Sequence, residues 1–465
     1  MGPSTLTLTD VTDLQDVDVG THPWHDRRHH ATNGRFRNPW SEDGAREVPL
    51  VRGALWALKN QLRSKRNAPP PVAEPEPKRL REPPERLRVT WLGHVAALIQ
   101  TPGLTLLTDP MFDERASPVP FAGPKRLAPT PLSISELPPI DGVLLSHDHY
   151  DHLSKASVRA LRDHSDPLFL VPLGVKAILK RWGPSRVVEM DWWQFADVLG
   201  ARFHCTPARH FSGRTLYNDQ RTLWASWYVE TEKADLYFGG DSARAPHFGA
   251  IRDHLGAPDT ALLPIGAYTP RWLMAPIHVD PGEAWQAFRD LEAGSFIPIH
   301  WGTFDLAGEP VQEPPERLRQ CAREDGMTDR LHVLDLGASV QPAPAAPAGE
   351  RGRARGAAKH VAGPHLHVAE LKEPRQRTGA RVLAQPRHHV ALDAHLQRET
   401  HRPKHPAGLP QALAALPGSE RPGLQQARPG ASARYLHHDH VALRVDAYLF
   451  PIDAQVQVGN NAERV

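Results

Sequence analysis

The sequence predicts an α/β sandwich flanked by an N-terminal extension and a low-complexity C-terminal tail. Short β-rich runs recur from about residue 87 to 338, among them LRVTWLG, LTLLTDP, GVLLSH, RFHCTP, ADLYFGGD and SFIPIHWG. Helical patterns lie between some of them, as in SKASVRALRDH at 154–164 and DPGEAWQAFRDLEAG at 280–294, with Ser154 and Asp280 as N-caps. Strands and helices mixed at this density point to an α/β sandwich rather than a helical bundle or an all-β barrel.

The elements follow in order. Residues 1–45 are polar, rich in His, Arg and Asp, and show little periodicity. In VPLVRGALWALKNQLRSKR at 48–66, Leu50, Val51, Ala54, Leu55, Leu58 and Leu62 keep helical spacing, with Arg52, Lys59, Arg63 and Lys65 off that stripe. This helix either packs on the main domain or rests on a membrane surface. The Pro-rich NAPPPVAEPEPK at 67–78 is an extended connector, which closes an N-terminal extension of 1–86. Residues 87–339 form the α/β domain. From 340 to 465 the chain is Ala, Pro, Arg, Gly and His without sustained periodicity, and a disordered tail is expected.

Composition narrows the function. The 465 residues carry a formal net charge of +2, which gives no general attraction for nucleic acid. The two cysteines, Cys205 and Cys321, form neither a disulfide framework nor a thiolate metal site. The start, MGPSTLTLTDVTDLQDVDVG, lacks the basic and apolar regions of a secretory signal, and no stretch has the roughly 20 apolar residues of a membrane span. The expectation is a cytoplasmic protein, with peripheral membrane contact left open.

The chemistry concentrates in SHDHYDHLS at 146–154. An apolar strand runs directly into His147-x-His149-x-Asp151-His152, which offers three imidazoles and one carboxylate within six residues. Neutral imidazole and carboxylate suit zinc and neighbouring divalent metals, and this spacing can serve two adjacent ions. The superficially similar His437-His438-Asp439-His440 in the tail lacks the following Asp-His pair and any surrounding strand pattern, so it is set aside. Three further β-rich runs end in His210, Asp241 and His300. Singly, Asp241 could be a turn residue and each histidine a core residue. Ligands in α/β folds gather outside strand ends, so together they complete a set of five imidazoles and two carboxylates, with Asp241 able to bridge.

This order of ligands resembles the metallo-β-lactamase superfamily. Arg35-Phe-Arg-Asn-Pro-Trp40, Trp91-Leu-Gly-His94, Thr108-Asp-Pro110, His210-Phe-Ser-x-Arg214, Gly239-Gly-Asp-Ser242, His278-Val-Asp-Pro281 and His300-Trp-Gly-Thr-Phe304 narrow the resemblance. They are similar to the N-acyl-phosphatidylethanolamine-hydrolysing phospholipase D subgroup and its bacterial relatives, over about residues 30 to 340. The resemblance implies an αββα four-layer sandwich. It implies one metal on His147, His149 and His210, a second on Asp151, His152 and His300, and Asp241 bridging. It places His94 and His278 near substrate or developing charge. Arg214 is a candidate partner for a phosphate oxygen, or an ordinary ion-pair arginine. Asp148, inside the motif but not a ligand in the subgroup's pattern, is a candidate for support or proton handling.

The expected function is a hydrolase of phospholipid-like phosphodiesters that uses hydroxide activated by two divalent ions, zinc first and manganese or iron otherwise. The membrane reading also involves Trp24 and Trp40. A soluble hydrolase of a small ester, lactone or sugar phosphate is the alternative, and a non-catalytic metal-binding protein is the alternative from another class. An RNA-processing nuclease is disfavoured by the near-neutral charge.

Overall fold

A computed structural model describes residues 17–41, 56, 69–214 and 220–343. In chain order they form β1 (Val19–Thr21), α1 (Pro77–Arg81), β2 (Arg88–Gly93), β3 (Ala96–Thr101), β4 (Leu104–Thr108) and β5 (Gly142–Leu144). Next come α2 (Lys155–Ser165), β6 (Leu168–Pro172), α3 (Val175–Lys180), β7 (Val187–Met190), β8 (Gln194–Val198), β9 (Ala201–Thr206) and β10 (Ser226–Glu230). The remainder is β11 (Asp235–Phe238), α4 (His247–Leu255), β12 (Thr260–Pro264), α5 (Arg271–Met274), α6 (Pro281–Asp290), β13 (Ser295–Ile299), α7 (Glu313–Glu324) and β14 (Ser339–Val340).

Two seven-stranded mixed sheets result, ordered β14-β2-β3-β4-β5-β6-β7 and β1-β8-β9-β10-β11-β12-β13. In each, an antiparallel portion gives way to parallel strands, at β4–β5 in one and β11–β12 in the other. Parallel neighbours need crossovers, and helices supply several of them. Strands buried on both faces read as apolar throughout. In β3, Ala97 and Ile99 belong to the large core between the sheets, together with Phe203, Trp227 and Ile297. Ala96 and Leu98, on the opposite face, join a second core with Val158 and Leu161 of α2 and Val175 and Leu179 of α3. Phe248 of α4, Phe288 of α6 and Leu318 of α7 cover the outer face of the other sheet. This is the expected four-layer αββα sandwich.

Local chemistry sets the two predicted helix starts. The Ser154 hydroxyl accepts from the Ser157 N–H at the head of α2. Asp280 and Glu283 form a reciprocal capping box on α6, with Pro281 in its first turn.

Described parts of the N-terminal extension join the sandwich. β1 adds an edge to the second sheet by pairing with β8, and Val72 bridges to Leu336. Of the 48–66 stretch, only Trp56 is described. It is helical and packs beside the cluster of Leu273, Met274 and Ile277. β14 pairs Val340 with Val89, so the sheet runs one residue past the expected domain end. From residue 344 onward, the tail lies outside the described residues.

Candidate metal centre

The donor side chains sit on loops that leave the carboxyl ends of strands. His147, His149, Asp151 and His152 follow β5, His210 follows β9, Asp241 follows β11 and His300 directly follows β13. The backbone there is strained. His94, Asp109 and His300 have φ of 54°, 28° and 59°, in the left-handed region that non-glycine residues rarely adopt. Gly240 has φ 56°, and a Cβ on it would stand 2.5 Å from the Ser146 Cβ, so only glycine lets the loop after β11 reach the one after β5.

Two donor sets form. In the first, His147 Nε2 lies 2.8 Å from His149 Nδ1, which is 3.3 Å from His210 Nε2. In the second, the Asp151 carboxylate is 3.6 Å from both His152 Nε2 and His300 Nε2. Asp241 Oδ2 stands between the sets, 3.1 Å from His152 Nε2, 3.1 Å from His300 Nε2 and 3.7 Å from His210 Nε2. For metal–nitrogen bonds of 2.0–2.1 Å, a tetrahedron has edges of about 3.3–3.4 Å, and the donors fall around that spacing. His300 Nε2 and Asp241 Oδ1 are buried without a hydrogen-bond partner, although His300 Nε2 is 3.1 Å from Asp241 Oδ2. Buried polar atoms that approach one another without bonding suit convergence on shared cations.

The next layer fixes which ring nitrogen faces inward. His152 Nδ1–H donates to Asp109 Oδ2 at 2.7 Å, which leaves Nε2 for the centre. Ser146 Oγ–H donates to the same carboxylate, so its oxygen accepts from His147 Nδ1–H at 2.9 Å. His210 Nδ1–H donates to the Ile277 carbonyl at 2.9 Å. Each partner selects the tautomer whose free lone pair points at the donor set.

Comparison with known proteins agrees with this geometry. The sequence profile described as a beta-lactamase superfamily domain matches residues 105–301. An uncharacterized protein of Mycobacterium tuberculosis is 43% identical over 284 residues, covering 60% of this chain and 75% of its own. The N-acyl-phosphatidylethanolamine-hydrolyzing phospholipase D 1 of Caenorhabditis elegans is 36% identical over 265 residues, covering 54% of this chain and 74% of its own. The chain belongs to the metallo-β-lactamase superfamily. It is similar within that superfamily to the phospholipase D subgroup and is a metal-dependent hydrolase by membership. Among solved structures, the metallo hydrolase Igni18 of Ignicoccus hospitalis is 19% identical, covers 55% of this chain and 98% of its own, and has a TM-score of 0.44.

The two donor sets of this superfamily member differ in charge. Burial and neighbouring imidazoles hold His147 well below the ordinary histidine range, and burial lowers His149 to about 3 and His210 to about 4. They are neutral, ready ligands at neutral pH. Burial also works against the charged forms of His152 and His300, but Asp241 and Asp151 outweigh it, raising His152 well above the usual range and His300 to about 9. Burial would raise the two carboxyls, yet the adjacent imidazoliums hold both well below the usual range.

The remaining predicted residues divide. His94 Nε2–H donates to Asp151 Oδ2 at 2.9 Å, and its backbone carbonyl accepts from His300 N–H at 2.9 Å. His278 has Nδ1 buried without a partner, 3.9 Å from Asp241 Oδ2, with its ring 5.0 Å from His210 and 5.2 Å from His300. Arg214 is not among the converging donors. Its Nη1 donates to the carbonyls of Asp148 at 2.7 Å and Leu153 at 2.8 Å, and its guanidinium lies 3.9 Å from the centre of the Tyr150 ring. That geometry ties its guanidinium to the 148–153 loop. Asp148 accepts from Gly213 N–H at 2.8 Å and ties the same two loops.

Asp109 and Ser146 escaped the sequence reading as site residues. Their signal was positional, since Asp109 is the penultimate residue of the β-rich LTLLTDP and Ser146 stands immediately before His147. Trp24 and Trp40 are half-buried and take part in ring stacking. Trp24 stacks between His22 and His254, and Trp40 stacks on Trp192. Among the described residues, the exposed large apolar side chains are Val72, Phe121 and Trp272.

Proposed function

We propose that this protein is a phosphodiesterase that hydrolyses N-acyl-phosphatidylethanolamine-like phospholipids at a centre for two divalent ions, zinc being the first choice. The observation that carries this reading is the position of Asp241, whose Oδ2 faces donors of both sets at 3.1–3.7 Å. When bound, two divalent cations supply a nucleophilic water at neutral pH and offset charge on the phosphoryl group. His147, His149 and His210 would hold one ion. Asp151, His152 and His300 would hold the other, with Asp241 shared.

The chain's other residues organise the substrate and the proton traffic. His278 is neutral at neutral pH, because burial lowers it well below the ordinary range, so it offers one N–H to a phosphoryl oxygen between the sets. His94 orients Asp151 through its 2.9 Å hydrogen bond. The phospholipid reading is supported by the 36% identity to the C. elegans enzyme of that name. Peripheral contact with the lipid surface is favoured by Trp272, 44% exposed on α5, whose neighbours Leu273 and Met274 pack with Ile277 beside His278.

The test uses the full-length, metal-loaded protein with N-acyl-phosphatidylethanolamine vesicles, followed by mass spectrometry. Phosphatidic acid and N-acylethanolamine should accumulate with the wild type and not with Asp241→Asn. Protein holding two ions that leaves the vesicles untouched would refute the lipid reading and turn attention to soluble esters and lactones.

A further inference from the structure

A second convergence of ligating side chains lies apart from the centre. His25, His29 and His30 of the N-terminal segment meet Asp191, the residue after β7. His29 Nε2 is 2.6 Å from Asp191 Oδ1, His30 Nε2 is 2.7 Å from Oδ2, and His25 Nε2 is 3.3 Å from Oδ2. One donor atom each from His29, His30 and Asp191 lies within 4.8 Å of the others. The carboxylate and the His29 ring are 4% and 1% exposed, whereas His30 and His25 keep 27% and 17% open to solvent. A buried anion is thus ringed by imidazoles, two of which leave a path from bulk water.

We propose that His25, His29, His30 and Asp191 form a third divalent-metal site, of zinc-binding chemistry, that clamps the N-terminal segment onto the sandwich. Two nitrogens and one carboxylate oxygen already converge, and His25, 3.3 Å from Asp191 Oδ2, would complete a four-ligand set, the pattern of structural rather than catalytic zinc. The need for a clamp is visible in the segment. Of its described residues 17–41, only Val19–Thr21 lie in a strand, and Phe36, 9% exposed, is the one buried large apolar side chain. A segment with so little core gains from ligand bonds what it cannot obtain from burial. The anchor is fixed beforehand. Trp192 N–H donates to Asp191 Oδ1 at 2.8 Å, Asp191 N–H donates to Gln194 Oε1 at 2.7 Å, and the His29 ring stacks on Trp192 at 4.2 Å.

The same atoms could instead form a metal-free staple of imidazole N–H groups donating to the carboxylate. The two arrangements differ in whether those nitrogens carry protons or an ion, so metal content separates them. Full-length protein is stripped with chelator, reloaded with zinc, desalted and measured by mass spectrometry for metal per chain. Wild type should hold one equivalent more than His29→Gln or His30→Gln, and His30→Cys, which keeps a ligating atom, should hold as much as wild type. Zinc on the tail histidines would be common to all four proteins and cancels in the difference.

Cobalt-loaded His30→Cys should also show a near-ultraviolet thiolate-to-cobalt band absent from wild type, and that band decides the matter even if the glutamine variants do not fold. Equal zinc in wild type and glutamine variants, or no such band, would overturn the third site and leave the hydrolytic centre unaffected.

Discussion

The two donor sets differ in composition and in charge state. His147, His149 and His210 form an all-imidazole set kept neutral by burial. A few ångströms away, Asp151 and Asp241 keep His152 and His300 protonated in the metal-free protein, so two buried anions face two buried cations. A buried charge needs a partner, and before metal arrives the second set supplies its own. The first set only has to accept an ion, whereas the second must exchange protons for one.

The largest effect should come from breaking the carboxylate set. Asp241→Asn is expected to reduce zinc from two equivalents to one at this centre and turnover by a factor on the order of 10²–10³, read by metal analysis and initial rates. Retention of both ions would deny Asp241 its bridging place.

Next in size is a residue that serves both sets at once. The Asp109 carboxylate holds His152 directly and His147 through Ser146. Asp109→Asn should lower metal affinity or activity by about 10–100-fold. Competitive chelator titration would show both ions weakened, whereas weakening of the second alone would remove the link through Ser146.

The pH dependence sharpens the contrast. Because His300 titrates at about 9 and His152 well above its ordinary range, both carry protons at pH 7 without metal. Affinity at that set should therefore rise with pH above 7, by about tenfold per unit for each proton displaced, with the His300 contribution ending at about pH 9. The first set, with His149 near 3 and His210 near 4, should show almost no slope between pH 5 and 7. Calorimetry in buffers of different ionisation enthalpy measures the released protons directly, and equal slopes for the two ions would erase the distinction.

The smallest effect tests the loop that carries four of the donors. The Tyr150 hydroxyl donates to the Arg214 carbonyl at 3.0 Å, so Tyr150→Phe should cost roughly 0.5–1.5 kcal/mol in unfolding free energy. Metal content should not change.

The sequence carried the fold and the donor list because both leave linear traces. Apolar runs ending in His or Asp are strand ends, and six consecutive residues hold four of the donors. What it withheld depends on tertiary contact. Asp109 matters only because β4 and β5 lie side by side, which brings its carboxylate to Ser146 and His152. Arg214 reads by residue type as either a phosphate partner or an ion-pair arginine, and its bonds to carbonyls of the 148–153 loop have no trace in the linear sequence. The pairing of His29 and His30 with Asp191 spans about 160 residues and has no local signature. The stacking partners of Trp24 and Trp40, His254 and Trp192, are likewise distant in the chain.

The shared role of Asp241 is tested most directly by anomalous diffraction at the zinc edge from crystals of the zinc-loaded protein. Two peaks are expected at this centre. One should lie about 2.0–2.1 Å from His147 Nε2, His149 Nδ1 and His210 Nε2, the other among Asp151, His152 and His300, with an Asp241 oxygen within bonding distance of both. A single peak, or two peaks with Asp241 bound to only one, would contradict the two-ion centre on which the proposed hydrolysis rests.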